Sequence, residues 1–355
     1  MIRSKTGSRF LRGGVHFRKK LAHTYDDIIS IENLLAAWQE FRRGKRNKLG
    51  VLEFQSDLIY QVTQLHEELK NKTYRHGGYK HFKISDPKPR DIHKASVRDR
   101  LLHHAMHRQL YPFFDKTFIH DSYSCRVGKG THKAMYQFFA YARKCSHNHT
   151  RTCWVLKCDI KKFFASIDQT ILLEILEQRI SNQNILWLLH EVIGSFSSSL
   201  SNRDIPTFAR MLECPQGLPL GNLTSQLLVN IYMNEFDQYV KHQLKAKYYV
   251  RYADDFIFLS SDKKELEKLF PCIIIFLRDR LRLALHPDKV FIKTLASGVD
   301  FLGWVHFPDH RVLRTATKKR MFRRTMELEA DSPVAQSYLG MLKHGNTKKL
   351  KAKVV

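Results

Sequence analysis

Apolar residues recur at helical spacing over residues 26–41, where Ile28, Ile31, Leu34, Leu35, Trp38 and Phe41 fall on one stripe. A basic turn at 44–48 interrupts the pattern. Residues 52–69 then predict a second helix with Leu58, Ile59, Val62, Leu65 and Leu69 turned inward. Residues 79–96, YKHFKISDPKPRDIHKAS, alternate and contain Pro87 and Pro89, which predicts short strands or a hairpin with basic residues on one face. Helical patterns return at 97–114 and 131–144. Between them lies SYSCRVGKGTHKA, residues 122–134, a glycine-containing turn that leads into the second helix.

From residue 154 the character changes. WVLKCDIKKFF (154–164) is a β-branched and aromatic run ending in an acid, and Ser166-Ile167-Asp168 opens a helix to about residue 179, capped by Ser166 or Asp168. Residues 223–244 predict a long helix. YYVRYADDFIFLS (248–260) is an apolar run interrupted by Asp254-Asp255, followed by a helix over 262–283 and strands at 287–293 and 299–305. Strand, helix, insertion, helix, hairpin, helix, strands is the order of a split βαβ sheet of the ferredoxin-like kind. The rest is expected to be helical and basic, with 12 Lys/Arg against 3 Asp/Glu over 311–353.

Charge narrows the function. The 355 residues carry 60 Lys+Arg against 34 Asp+Glu, a net +26, so nucleic acid is the first partner to consider and an anionic membrane surface the second. A hydrophobic fraction of 43% excludes global disorder, and no 18-residue apolar window exists to span a bilayer. The six cysteines form no CxxC, which points to reduced thiols and a cytoplasmic chain. Cys145, His147, His149 and Cys153 are zinc-competent types, yet their spacing matches no zinc pattern and a basic loop explains them equally well. Residues 1–25 hold seven basic residues, no acid and no apolar signal core, and read as an arm that touches nucleic acid, the other reading being a transit peptide.

Asp254-Asp255 carries the chemistry. Two adjacent acids at a hairpin tip repel each other, where an ordinary turn would favour Gly or Asn. Divalent metal supplies the missing charge. Asp159 ends another apolar strand, and if the two strands are neighbours all three acids meet at one sheet edge. Mg²⁺, with Mn²⁺ as a substitute, would there activate a 3′-hydroxyl and stabilise leaving pyrophosphate.

The blocks KPRDI (88–92), SYSCRVGKGTHKA (122–134), LKCDIKKFFASID (156–168), LPLGNLTSQ (218–226), RYADDFIFL (251–259), LHPDKV (285–290) and FLGW (301–304) resemble those of the reverse transcriptases, in the same order. The resemblance implies an α+β right-hand polymerase with fingers, a ferredoxin-like palm and a helical thumb, copying template RNA into cDNA from dNTPs. The implied divisions are a basic arm and helical extension (1–78), fingers (79–150 with part of 180–215), palm (151–308) and basic thumb (309–355). Asp159, Asp254 and Asp255 become metal ligands, with the Ile160 carbonyl assisting. Phe164 becomes the gate that rejects a ribose 2′-hydroxyl, its other reading being a core Phe beside Phe163. Arg90 becomes the clamp on the triphosphate, a role suited to a bidentate guanidinium. Lys88 and Arg126 are secondary phosphate candidates whose other reading is a solvated charge. Lys289 protonates or neutralises pyrophosphate. Leu302, Gly303 and Trp304 form the primer grip, and Lys318, Lys319, Arg320, Arg323 and Arg324 hold the duplex.

The loop CPQGLPLGNLTSQ (214–226) can be read in two frames. Most reverse transcriptases have Gln-Gly-x-x-x-Ser-Pro. Gln216-Gly217 has the letters but not the spacing; Leu220-Gly221 has the spacing, with Ser225-Gln226 in the last two positions. A branched apolar residue followed by GxxxSQ resembles the reverse transcriptases of diversity-generating retroelements, as does the stretch at 25–48. That resemblance implies errors at template adenines, cDNA that replaces a variable repeat in a target gene, and a small basic accessory protein. Leu220 in place of Gln would remove a hydrogen bond worth about 1 kcal/mol, roughly a fivefold loosening of the incoming nucleotide. The alternative is a non-mutagenic bacterial reverse transcriptase of retron, group II intron or defence type. About 50 residues follow the primer grip, which is expected to leave room for a thumb and none for a nuclease domain.

Overall fold

The computed structural model describes residues 19–85, 89–196, 215–326 and 331–353. The basic arm up to residue 18, Lys88 and residues 197–214 of the expected fingers lie outside these. Four helices come first: α1 (Tyr25–Ile29), α2 (Ile31–Phe41), α3 (Leu49–Ser56) and α4 (Leu58–Lys70). Each expected helix is thus two. Ser30 leaves the helical region and caps α2 by accepting from the Asn33 N–H, while Thr24 and Asp27 form a capping box on α1. Asp57 separates α3 from α4. Val62, Leu65 and Leu69 are buried as expected, but Ile31, the first residue of α2 after the break at Ser30, and Ile59, off the stripe of α4, are exposed.

Strands β1 (Tyr79–Ile84) and β2 (Arg90–Ala95) form the expected hairpin, pairing from Tyr79↔Ala95 to Ile84↔Arg90. Helix α5 (Val97–Asp115) follows, capped by Ser96, then α6 (Thr131–Cys145). The central sheet contains β3 (Trp154–Asp159), β4 (Tyr248–Tyr252), β5 (Asp255–Ser260) and β6 (Phe291–Thr294), ordered β4-β5-β3-β6 with every pair antiparallel. That is the ferredoxin-like order. Its insertion carries α7 (Gln169–Glu177) and α8 (Gln183–Gly194), and its crossovers are α9 (Leu223–Gln238) and α10 (Lys263–Leu281). The cap of α7 is Asp168, fully buried, whose carboxylate accepts from the Ile171 N–H. The strand expected from 287 begins later, because Pro287–Lys289 forms a 3-10 turn.

One continuous core joins the N-terminal helices and α5 to the sheet face covered by α9 and α10, so the expected boundary near residue 78 is not a break in packing. A second core lies on the opposite sheet face, where Val155, Val250, Ile257 and Leu259 meet Phe138 of α6. Strands β7 (Val299–Phe301), β8 (Trp304–His306) and β9 (Arg311–Leu313) make a small antiparallel sheet. The region expected to be a helical thumb therefore opens with a strand. Helices α11 (Thr315–Thr325), α12 (Pro333–Leu342) and α13 (Lys348–Lys351) follow.

Candidate active site

The register of β3 and β5 sets Asp159 opposite Asp255. The Ile160 N–H donates to the Asp254 carbonyl at 3.1 Å, so all three acids reach one sheet edge. Period two puts Asp159 and Asp255 on the face of Val155 and Ile257, away from α9 and α10. Each acid of the facing pair meets a lysine. Lys289 Nζ donates to Asp159 Oδ1 at 2.7 Å, and Lys157 Nζ lies 3.3 Å from Asp255 Oδ2. Asp255 Oδ1 is buried with no hydrogen-bond partner. Burial drives the Asp255 carboxyl up to about 7; Lys157 opposes that rise, while Asp159 and Asp254 add to it. A buried, unpartnered carboxylate oxygen beside like charges fits a cation.

Tyr252 pairs with Asp255, which leaves Ala253-Asp254 as a two-residue tip. Ala253 sits at φ +56°, a conformation costing an L residue about 1–2 kcal/mol. Arg251 holds it there: its Nη1 donates to the Ala253 carbonyl at 3.1 Å and to Asn230 Oδ1 at 3.3 Å. Arg251 is fully buried, with Nε and Nη2 on the two oxygens of Asp237 at 2.8 and 2.7 Å and Nη2 also on Ser122 Oγ at 3.0 Å. Tyr249 donates to Asp237 as well, at 2.8 Å. Sequence reading missed Lys157, Asp237 and Arg251; the available signal was a charge inside an apolar strand, at Lys157 and Arg251.

The loop after the insertion ties two walls together. Leu218 N–H donates to the Phe164 carbonyl and Gly217 N–H to that of Ile167, both at 2.8 Å, while Gln216 bridges Asp168. Farther on, the Leu220 carbonyl accepts from the His93 N–H at 3.1 Å. Gly221 has φ +122°, and a Cβ there would stand 3.1 Å from Ile92 Cγ2. So Gln216-Gly217 lies against the segment from Phe164 to Asp168, and Leu220-Gly221 lies against the strand that begins with Arg90. Phe163 is buried and Phe164 half-buried, their rings edge to face at 5.6 Å. Arg90 is exposed, and Gln226 is half-buried in the first turn of α9.

Two expectations fail. Arg126 is no phosphate ligand: it donates to Asp115 Oδ1 at 2.6 Å and to the carbonyls of Asp115, Ile119 and Ser122, and its side chain is 7% exposed. It staples its own loop. Trp304 is not open to a primer, being 2% exposed in a core with Met135, Leu313 and Met321. Leu302 and Gly303, at φ +52° and +86°, form the tip of the β7–β8 hairpin, half-buried. On α11, Thr317, Met321 and Thr325 face inward; Lys319, Arg323 and Arg324 are exposed, and Lys318 and Arg320 half-buried. Among the described residues no three His, Cys, Asp or Glu side chains group as a metal cluster. In the 145–153 loop the Cys145 and Cys153 thiols are buried in the second core and His149 Nδ1 meets Ser146 Oγ at 3.2 Å.

Sheet order and the acid-bearing edge define a polymerase palm of the α+β right-hand type. The sequence profile of the reverse transcriptase (RNA-dependent DNA polymerase) family matches residues 83–306. The chain belongs to that family. Protein YkfC of Escherichia coli is 26% identical over 66% of this chain and 66% of its own. The group II intron-encoded protein LtrA of Lactococcus lactis is 22% identical over 76% of this chain, and a putative COX1/OXI3 intron 2 protein of Saccharomyces cerevisiae 20% over the same share. The matches cover 53% and 36% of those two longer relatives. A solved telomerase of Candida albicans, in complex with a TWJ fragment of telomeric RNA, aligns with a TM-score of 0.45 at 13% identity, over 77% of this chain and 54% of its own.

Proposed function

We propose that the chain is an RNA-templated DNA polymerase that adds dNTPs to a primer at the Asp159/Asp254/Asp255 edge. The observation that carries this is the Asp159↔Asp255 register with Asp254 latched to Ile160, in a chain of this family. Asp159, Asp254 and Asp255, with the Ile160 carbonyl, would hold divalent metal, Mg²⁺ or in substitution Mn²⁺. One or two carboxylates suffice because substrate phosphates complete such a shell. When bound, the ions lower the pKa of the attacking 3′-hydroxyl and take up charge on the leaving pyrophosphate. Lys289, 39% exposed beside Asp159, serves the pyrophosphate, while Arg90 grips the triphosphate and Phe164 rejects the 2′-hydroxyl. Residues 79–150 with part of 180–215 act as fingers, 151–308 as palm and 309–355 as thumb, where α11 follows the duplex by its phosphates.

The finer reading is a diversity-generating enzyme, error-prone at template adenines and served by a small basic accessory protein in the cytoplasm. Its support is LGNLTSQ at 220–226. Leu220 brings contact but no hydrogen bond to the incoming nucleotide. The likeness to LtrA over 76% of the chain favours a second reading, a non-mutagenic intron-type enzyme. Primer extension on an RNA template tests the activity: Asp255→Ala is expected to lower the rate by a factor on the order of a thousand, and undiminished extension would refute the site. Sequencing the cDNA separates the finer readings. Adenine errors that fall about fivefold in Leu220→Gln support the mutagenic one; errors absent from the parent chain refute it.

A further inference from the structure

Several cations of the N-terminal layer are paired, and four others gather without a carboxylate. Arg75 pairs with Glu191, Arg98 with Glu68 and Arg108 with Glu40. Lys45, Lys48, Lys94 and Arg100 make no ion pair among the described residues. They line one cleft of about 190 Å³ with Gly50, Val51 and Val97, and no carboxylate stands in its wall. Glu53, whose carboxylate would lie 3.9 Å from a Cβ on Gly50, is outside the lining.

Two of these cations are fixed in place. Lys45 Nζ donates to the Phe41 carbonyl at 2.8 Å and lies 4.4 Å over the Phe41 ring. Arg100 lies 4.8 Å over the same ring and donates Nε to the Ser96 carbonyl at 3.3 Å. The ring is 1% exposed, so neither cation can drift far without losing its support. Helix α3 points its N-terminus here, with Lys48 at the cap, no side-chain cap bond and no acid in its first turn. Its positive end adds to the same field. The groups register that field. Burial and then Arg100 lower the Lys45 ammonium; Arg100 and then burial lower that of Lys94. His104, edge-on to Phe41, is held at about 4 by burial, with Lys45 and Arg100 contributing.

We propose that this cleft is a second phosphate-binding site, taking the backbone of the RNA strand beyond the nucleotide being copied. Arg90, Ile92 and Lys94 share one face of β2 by its period of two, and Ile92 is the residue against Gly221 of the nucleotide loop. Lys94 is the next step along that face, about 13 Å from Arg90 at the usual rise per residue. The cleft therefore opens where a strand leaving the nucleotide pocket along β2 would run. That the strand is a template rests on the function proposed above; that the cleft holds phosphate does not.

Anisotropy of labelled primer–template duplexes tests this on the full chain, without metal or nucleotide, so a chain that fails to polymerise still tests the cleft. Lys48 and Lys94 are exposed, and Lys48→Gln/Lys94→Gln is expected to fold like the parent. It should weaken binding of a template with a long 5′ overhang about tenfold and flatten the slope of log affinity against log salt by roughly 1.4, the value for two phosphates of a single strand. A template ending flush with the primer should bind it unchanged. Lys264→Gln/Lys268→Gln on α10 removes the same charge elsewhere and should leave both duplexes unaffected. Equal losses in that control, or equal losses for the flush duplex, would overturn the proposal in favour of diffuse charge. Competition by inorganic phosphate or dNTP that vanishes in the cleft variant, with overhang binding intact, would overturn it in favour of a free ligand.

Discussion

At the scale of single residues, a side chain's role is decided by what stands across from it. Phe163 and Phe164 are adjacent and alike, yet one is buried and the other half-buried with its carbonyl tied to Leu218. Phe164 is the one free to meet a sugar. Phe164→Val should therefore lower the preference for dNTP over rNTP, as a ratio of kcat/KM, by about tenfold to a hundredfold. Single-nucleotide incorporation measures it, and unchanged selection would return Phe164 to the core reading. The meeting of the three acids at one sheet edge was legible in the sequence because Asp159 ends an apolar strand, Asp255 begins one and Asp254 sits in the turn before it. Arg126 and Trp304 were not. An exposed and a stapled arginine look identical in one dimension, and the partners that bury Trp304, Met135 and Met321, lie far from it along the chain.

At the scale of elements, the hairpin that carries Asp254 and Asp255 is held from behind. Arg251 and Asp237 tie β4 to α9, and Arg251 also pins the strained Ala253 carbonyl. Arg251→Met leaves Asp237 buried with only Tyr249 as donor and should cost about 3–5 kcal/mol. Adding Asp237→Leu removes the orphaned charge, so the double variant should be the more stable of the two in urea. A double variant no better than Arg251→Met would mean the loss comes from packing. Helix α5 carries a different liability. Burial holds His103 at about 3 and His104 and His107 at about 4, below their ordinary 6.5. The folded state binds these protons later than the unfolded chain does. Stability is thus fully present above about 6.5 and falls as pH drops from there towards 4. The urea midpoint should be lower at pH 5 than at pH 7.5, and His104→Gln/His107→Gln should flatten the difference. Helix periodicity found these elements but not their breaks. Ser30 and Asp57 stop helices through backbone geometry and capping, which a pattern of apolar positions does not register.

At the scale of the whole molecule, the cores decide what moves with what. The N-terminal helices share their core with the central sheet, whereas α11 and α12 close a small separate core around Trp304. A Cβ on Gly345 would run into the Trp304 ring, so that core is filled to contact. Trp304→Ala should remove about 3–5 kcal/mol from it. Because the remaining cores do not include Trp304, the loss should stay local: amide exchange should quicken across residues 315–342 while α5 and β3 keep their protection. Loosening that core also unfixes Lys319, Arg323 and Arg324, which it presents on the outer face of α11. The salt slope of duplex binding should then flatten, since fewer phosphates are held at once. Exchange that quickens equally in α5 would mean that the small core is an integral part of the palm. A salt slope unchanged despite local unfolding would remove α11 from the duplex path and leave its basic face without a role in holding nucleic acid.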